Sequence, residues 1–222
     1  MAMELLVVTL IHTYPQRDID ATARLRLIAD TIRNAPGLMN VSLYRNRGQI
    51  SRFLMLTNWD SEESWQESYE RHSPQSLLLS SAAELLTTSP EQWLMHYLWG
   101  YTRPAAIPVY ASAHLAHIRP EQAELAQQGW IEALRRQARF PLLAFAFLAR
   151  GSYEHAMLST PAIPQEAESR EASYRHSAVF LNVLNWANDA DREDFYADTT
   201  YQAINRFIGT LGTMQTLSLE PL

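Results

Sequence analysis

At 222 residues the chain can form one large domain or two of about 110, and 47% hydrophobic with 19% charged residues is ordinary for a soluble globular protein. A net charge of −6 excludes a general nucleic-acid surface, because no basic excess is left to neutralise phosphates. All 18 basic residues are arginine and cysteine is absent, which excludes lysine Schiff bases, thiol nucleophiles, disulfides and thiolate metal sites.

The N-terminal run MAMELLVVTLIHTYP is apolar but short and alternates like a strand. It lacks a basic leader and a small-residue cleavage site. We therefore expect neither signal peptide nor membrane span, and a cytoplasmic location. Leu5–Thr13 is predicted as a strand ended by Pro15. Ile19–Ala35, with Leu25, Ile28 and Ile32 at helical spacing, is predicted as a helix stopped by Pro36-Gly37. Leu38–Arg45 and Ile50–Trp59 are strands joined through Arg47-Gly48. Asp60, with Glu63 three residues on, gives a capping-box start for a helix to about His72. Ser73-Pro74 interrupts it, Leu77–Leu86 forms a further helical piece, and Gln92–Trp99 is the fourth strand. The order β-α-β-β-α-β is the ferredoxin-like unit.

The pattern then restarts. Tyr101–Pro108 carries two prolines, so a first domain is expected over 1–101, a linker over 102–108 and a second domain over 109–222. Val109–Ile118 is a strand ended by Pro120, Glu121–Arg139 a helix, Leu143–Arg150 a strand, Ala178–Trp186 a strand, Asp189–Ala197 its helix and Met214–Leu219 the last strand. At an offset of 105, His12, Leu38, Leu43 and Arg45 meet His117, Leu143, Leu148 and Arg150. At an offset of 127, Phe53, Leu54, Asn58, Trp59 and Tyr69 meet Phe180, Leu181, Asn185, Trp186 and Tyr196. The change of offset leaves 22 extra residues in the second copy, within about 152–177, where Pro161 and Pro164 mark a long surface loop. A ferredoxin-like sheet carries helices on one face only, so its other face needs cover. Two copies in one chain can supply that cover to each other. The expected fold class is α+β: two tandem ferredoxin-like domains forming an intramolecular dimeric α/β barrel.

The third strand ending in Trp59, followed by Asp60, Glu63, His72, Ser73 and Pro74, resembles the antibiotic biosynthesis monooxygenase superfamily of dimeric α/β barrels. Nearly the whole chain fits it as two tandem copies. The second copy keeps Trp186 and Tyr196 but has Thr199 where His72 would fall. The resemblance implies an oxidoreductase that oxidises an aromatic polyketide-like phenol, anthrone or quinol with dioxygen and without metal or flavin. An externally supplied reduced flavin stays open. In such members the deprotonated substrate itself gives an electron to oxygen. The protein supplies an apolar pocket, a partner for the forming oxyanion and a proton acceptor.

Those members place an Asn four residues before the strand-end Trp, and Asn182-Val-Leu-Asn-Trp186 has that spacing. Strand alternation puts Phe180, Asn182, Leu184 and Trp186 on one face, whereas the first copy has Met55 in place of Asn182. The second copy is therefore expected to be catalytic, with Asn182, Trp186 and Tyr196 in the reaction, His72 of the first copy as a base, and Trp59, Phe180, Leu184 and Arg150 around the substrate. Each has a plainer reading. Asn182 can hydrogen-bond a neighbouring helix, Trp59, Trp186 and Tyr196 can fill core, and His72 can face a helix C-terminal dipole. Arg45 and Arg150 can anchor an acidic substrate or form ion pairs across the pseudo-dimer. His114 and His117 have odd spacing on a strand and point to opposite faces, so they do not form a metal pair.

No metal motif and no glycine-rich phosphate loop is present. A haem-degrading reading requires an Asn on the first strand, which this sequence lacks. The other alternative is a non-catalytic module that binds a small ligand or serves structure. The expected partners are a small aromatic molecule and dioxygen, with the chain either a monomer holding an internal pseudo-dimer or a homodimer.

Overall fold

A computed structural model describes residues 4–48, 51–138, 142–152 and 177–222. In chain order the elements are β1 (Leu5–His12), α1 (Asp18–Ile32), β2 (Leu38–Asn46), β3 (Arg52–Trp59), α2 (Glu62–His72), α3 (Pro74–Ser81) and β4 (Glu91–Thr102). They continue as β5 (Tyr110–Ile118), α4 (Ala123–Gln137), β6 (Leu143–Ser152), β7 (Ala178–Trp186), α5 (Asp189–Ala197), α6 (Thr199–Leu211) and β8 (Gly212–Pro221). Short 3-10 turns cover Ala83–Leu85 and Pro120–Gln122. The class is α+β with two tandem ferredoxin-like units, as the element order predicts. Residues 153–176, most of the expected insert, lie outside the described residues.

Two compact units result: Met1–His96 with Leu219–Leu222, and Tyr97–Ser218. In unit 1 the strands run β4-β1-β3-β2, and the end of β8 pairs with β2 through Tyr44–Pro221, Arg45–Glu220 and Asn46–Leu219. Unit 2 repeats this order as β6-β7-β5-β8, with the end of β4 beside β6. Corresponding strands keep corresponding register. β1 opposes β3 with Leu5 facing Trp59 and Thr9 facing Met55. β5 opposes β7 with Tyr110 facing Trp186 and His114 facing Asn182.

Each unit buries one core between its sheet and its helices. In unit 1, Leu5, Val7, Ile11, Phe53, Met55 and Trp59 meet Ala21, Leu25, Ile28 and Ile32, which recur at helical spacing along α1. In unit 2, Phe180, Leu184 and Trp186 of β7 meet Ala126, Trp130, Ala133 and Leu134 of α4, with Phe195 and Tyr201 from α5 and α6. β7 is buried at every position, so its helix-side residues are fixed by packing on both faces of the strand.

Several local details differ from the sequence reading, among them β4, which runs to Thr102 and into the expected linker. The residue that caps α2 is Ser61, whose hydroxyl accepts from Ser64 N; Asp60 lies one position too early. The further helical piece starts earlier, at Pro74, because Ser73 both ends α2 in an extended conformation and caps α3 by accepting from Ser76 N. Residues 199–211, left unassigned by the sequence reading, form α6, with Tyr201, Ile208 and Leu211 buried.

Candidate active site

The helix side of the unit 2 sheet, largely apolar among the described residues, carries a buried polar cluster. It is built on the opposed pair His114 (β5) and Asn182 (β7), 1% and 0% exposed. Alternation along β5 adds Ser112 to the same face, and α5 and α6 bring Tyr196 and Tyr201 over it. Tyr196 OH lies 2.5 Å from Ser112 Oγ and 3.1 Å from His114 Nε2. The other ring nitrogen, His114 Nδ1, lies 3.1 Å from Thr216 Oγ1 on β8. Thr216 is an exposed residue. One hydrogen bond therefore links the buried imidazole to the surface.

Asn182 donates to Tyr201 OH at 3.4 Å, and its Oδ1 has no partner among the described residues. Whichever way the amide is turned, one of its ends is left unpaired. Trp186, four residues on and on the same face, is fully buried, with an indole N–H that has no partner among the described residues. Aromatic rings enclose these atoms: Trp186 lies 5.5 Å from Phe195 and 5.4 Å from Tyr196, and Tyr201 lies 4.4 Å from Phe195 and 6.0 Å from Tyr196. Buried polar atoms without partners cost about 1–3 kcal/mol each. The two lie on one face of β7, four residues or about 13 Å apart along the strand, and each is a place where a polar group of a ligand would be favourable.

The environment sets the protonation states. Burial lowers the His114 pKa from 6.5 to about 4, so the imidazole is neutral at pH 7. Burial raises the Tyr196 hydroxyl, with the Ser112 hydrogen bond and the charge of Arg192 pulling the other way. Tyr201 is pushed well above its ordinary value by burial and by Tyr196, against smaller opposing effects of Asn182 and Trp130. Both phenols thus stay protonated. The cluster holds one neutral base between two hydroxyl partners.

Of the residues singled out in the sequence, Asn182, Trp186 and Tyr196 come together here. Phe180 and Leu184 lie in the same core, Phe180 6.0 Å from Trp130. Arg150 stands with its guanidinium 5.6 Å from the Phe180 ring centre and is bound to Glu124 and Gln127 of α4. Arg45 in turn pairs with Glu220. Arg150 thus pairs within the second sequence copy, whereas Arg45 pairs with Glu220, which comes from the second copy in sequence and belongs to unit 1 in space, so for Arg45 the expected pair between copies is observed. The register explains it: Glu220 at the end of β8 lies opposite Arg45 of β2.

Trp59 and His72 belong to unit 1. The Trp59 indole donates to Thr57 Oγ1 at 3.0 Å and packs edge-on against Trp65 at 5.2 Å. His72 is the last residue of α2, with a buried Nδ1 that has no partner among the described residues. The unit 1 positions equivalent to His114 and Asn182 are Thr9 and Met55. Thr9 is satisfied by Gln92 at 3.3 Å. A cleft of about 560 Å³ in unit 1 is lined by Arg26, Asp30, Arg33, Tyr44 and Leu222. It holds none of the expected residues, and its Arg33 is already paired with Asp30, so we place the candidate site at the unit 2 cluster.

Sequence reasoning missed Ser112, His114, Tyr201 and Thr216. His114 was weighed only as half of a metal pair with His117. The usable signal was its position, opposite Asn182 once the two strands are paired. No group of three or more His, Asp or Glu residues suited to a metal is present among the described residues.

Fold and site together define a tandem ferredoxin-like protein with a buried polar cluster in its second unit. Residues 5–73, within unit 1, match the model of the antibiotic biosynthesis monooxygenase family. Solved structures share the fold over the whole chain. An anthrone oxidase-like protein superposes with a TM-score of 0.72 at 13% identity, covering 99% of this chain and 92% of that one. A candidate monooxygenase from Fusobacterium nucleatum gives 0.70 at 5% identity, covering 100% and 93%. A ferredoxin-fold protein from Listeria monocytogenes, related to antibiotic biosynthesis monooxygenases, gives 0.52 at 12% identity, covering 100% and 96%. No curated protein matches the chain in sequence. No helix among the described residues is long and apolar enough to cross a membrane.

Proposed function

We propose that the chain is a monooxygenase that uses neither metal nor flavin and oxidises a small phenol, anthrone or quinol in unit 2. The observation that carries this reading is the pair Asn182, opposite His114, and Trp186, against Tyr196, each fully buried with a polar atom that has no partner among the described residues. With the amide turned so that Oδ1 accepts from Tyr201, the Asn182 N–H donates to a phenolic or keto oxygen, and the Trp186 indole N–H on the same strand face is a second buried donor without a partner among the described residues. Such bonds strengthen as the oxygen gains charge, which is how an oxyanion is stabilised in a site closed to water. The family match in unit 1 and the anthrone oxidase-like fold relative support the same chemistry.

In this scheme the substrate loses a proton to the hydrogen-bonded Ser112–Tyr196 pair and becomes an electron-rich anion. The anion gives one electron to dioxygen, and the resulting radical pair joins as a carbon-bound peroxide. Loss of water leaves a carbonyl. One oxygen atom stays in the product and the other leaves as water, so no outside reductant is required. The protein's own part is to bind the ring, hold the anion and accept the proton.

The test is oxygen consumption with anthrone or 1-naphthol. One dioxygen is expected per substrate, and Asn182→Ala lowers kcat about 100-fold, the scale for losing one oxyanion donor. An absence of uptake with phenols, anthrones and quinols alike, with bound substrate demonstrated, overturns the reading.

A further inference from the structure

We propose that Ser112, Tyr196, His114 and Thr216 form a proton path between the interior of unit 2 and solvent, and that it carries off the proton lost by the substrate; the second half of this rests on the oxygenase reading above.

Four side chains stand in series. Ser112 Oγ meets Tyr196 OH at 2.5 Å, Tyr196 OH meets His114 Nε2 at 3.1 Å, and His114 Nδ1 meets Thr216 Oγ1 at 3.1 Å. Every link is within hydrogen-bond distance, and every member except the imidazole is a hydroxyl that both donates and accepts. The interior end is buried, with Ser112 5% exposed. The other end, Thr216, is exposed.

A chain of this composition has two complete arrangements. In the first, His114 Nδ1–H donates to Thr216, Tyr196 O–H donates to His114 Nε2, and Ser112 O–H donates to Tyr196. In the second every bond is reversed: Thr216 donates to Nδ1, Nε2–H donates to Tyr196, and Tyr196 donates to Ser112. Both leave the imidazole neutral, as its burial demands. Passing from the first to the second moves one proton. A proton from the substrate oxygen joins the interior end, each hydroxyl and ring nitrogen hands its own proton one place outward, and Thr216 releases one to water. The imidazole changes tautomer and is never charged. A direct transfer that left a charged His114 in this core would instead carry the cost that lowers its pKa.

The role is specific to unit 2. The position equivalent to His114 is Thr9, whose hydroxyl donates to the side chain of Gln92, and the position equivalent to Ser112 is Val7. Tyr69, equivalent to Tyr196, has a buried hydroxyl without a hydrogen-bond partner among the described residues. Unit 1 therefore has the tyrosine without the path.

The test uses the full chain with ¹⁵N-labelled histidine. In the resting protein at neutral pH, His114 is expected to show the two unequal ring-nitrogen signals of a neutral tautomer. Its ring N–H is expected to exchange with solvent at least tenfold more slowly in Thr216→Val, and at the wild-type rate in Thr216→Ser. Valine suits an exposed strand position, so the fold is retained. In turnover, Thr216→Val and His114→Gln are expected to lower oxygen uptake at least tenfold while substrate affinity, read from tryptophan quenching, stays within twofold. Thr216→Ser restores the rate. Exchange unchanged in Thr216→Val overturns the path whatever the enzyme does. Slowed exchange in a protein that oxidises none of the substrates leaves the path standing and removes the oxygenase reading. Slowed exchange with uptake unaltered in both variants shows that the substrate proton leaves elsewhere and overturns the second half of the proposal.

Discussion

Trp59 and Trp186 occupy equivalent positions, both fully buried at the end of the third strand of their units, yet their indole N–H groups meet different fates. Trp59 donates to Thr57, whereas Trp186 has no partner among the described residues. Replacing each by Phe removes the same atoms from a core of similar kind, so the cavity costs nearly cancel between the two variants. What remains is the hydrogen bond. Trp59→Phe leaves Thr57 unpaired in the interior, while Trp186→Phe removes a donor that was never satisfied. Trp59→Phe is expected to destabilise the protein by about 1–2 kcal/mol more than Trp186→Phe, read as the difference in urea midpoints. The imidazole of His114 allows a second argument at the same scale. Its folded pKa of about 4 lies below the 6.5 of a free imidazole, so the unfolded chain takes up the proton first as pH falls. The stability it contributes is complete above pH 6.5 and is lost progressively towards pH 4. The loss amounts to roughly 3 kcal/mol, at 1.36 kcal/mol per pKa unit. Urea unfolding followed against pH is expected to show this fall in the wild type. The part between pH 6.5 and 4 should vanish in His114→Gln, while the part due to carboxylates stays.

At the scale of elements, the helices that cover the candidate site are held at their N-termini. Asp198 ends α5 and caps α6, its Oδ1 accepting from Tyr201 N at 2.7 Å. The cap therefore fixes the backbone of the residue whose hydroxyl meets Asn182. Asp198→Ala is expected to cost about 1 kcal/mol and Asp198→Asn little, because asparagine caps equally well; thermal melts of the two variants check this. The same helix shows how far the sequence could be read. Tyr201, Ile204, Ile208 and Leu211 recur at helical spacing, so the signal for α6 was present. It was weakened by two threonines at the start and by Gly209 and Gly212, all poor helix formers. The cap of α2 was misplaced for a different reason. Asp60–Glu63 and Ser61–Ser64 both satisfy the three-residue spacing, and only the backbone decides between them. Strands were easier, because β-branched and apolar runs bounded by proline or glycine leave few alternatives: Ala178–Trp186 is observed as predicted. In the site, Asn182 and Trp186 were legible from spacing within one strand. His114, Tyr201 and Thr216 were not, since they reach the site from other elements and only strand pairing and helix packing bring them there.

Across the whole molecule, the duplication could be read from two constant offsets because the first and third strands of each unit keep the same register. What the offsets do not contain is where β8 ends. Met214–Leu219 is an unbroken strand signal, and nothing in it marks the point where its neighbours become those of β2 in unit 1. That end is held in two ways of unequal strength. Leu219 is 1% exposed, and Leu222 N donates to Leu43 O at 2.9 Å. Glu220 pairs with Arg45 and Arg47; burial pushes its carboxyl pKa up, but the two arginines outweigh this and hold it below its ordinary value. Arg45 and Arg47 are 40% and 45% exposed, so water and salt screen this cluster. Burial is expected to dominate. Leu219→Ala should cost about 2–4 kcal/mol, while Glu220→Gln should cost less than about 1 kcal/mol and converge on the wild type at high salt. Both effects belong to unit 1 although the residues come from the far end of the chain. Hydrogen exchange is the decisive readout: Leu219→Ala should speed exchange of amides along β2 at Tyr44–Asn46. A larger loss for Glu220→Gln than for Leu219→Ala, shrinking as salt is added, would show that charge rather than apolar contact anchors the strand.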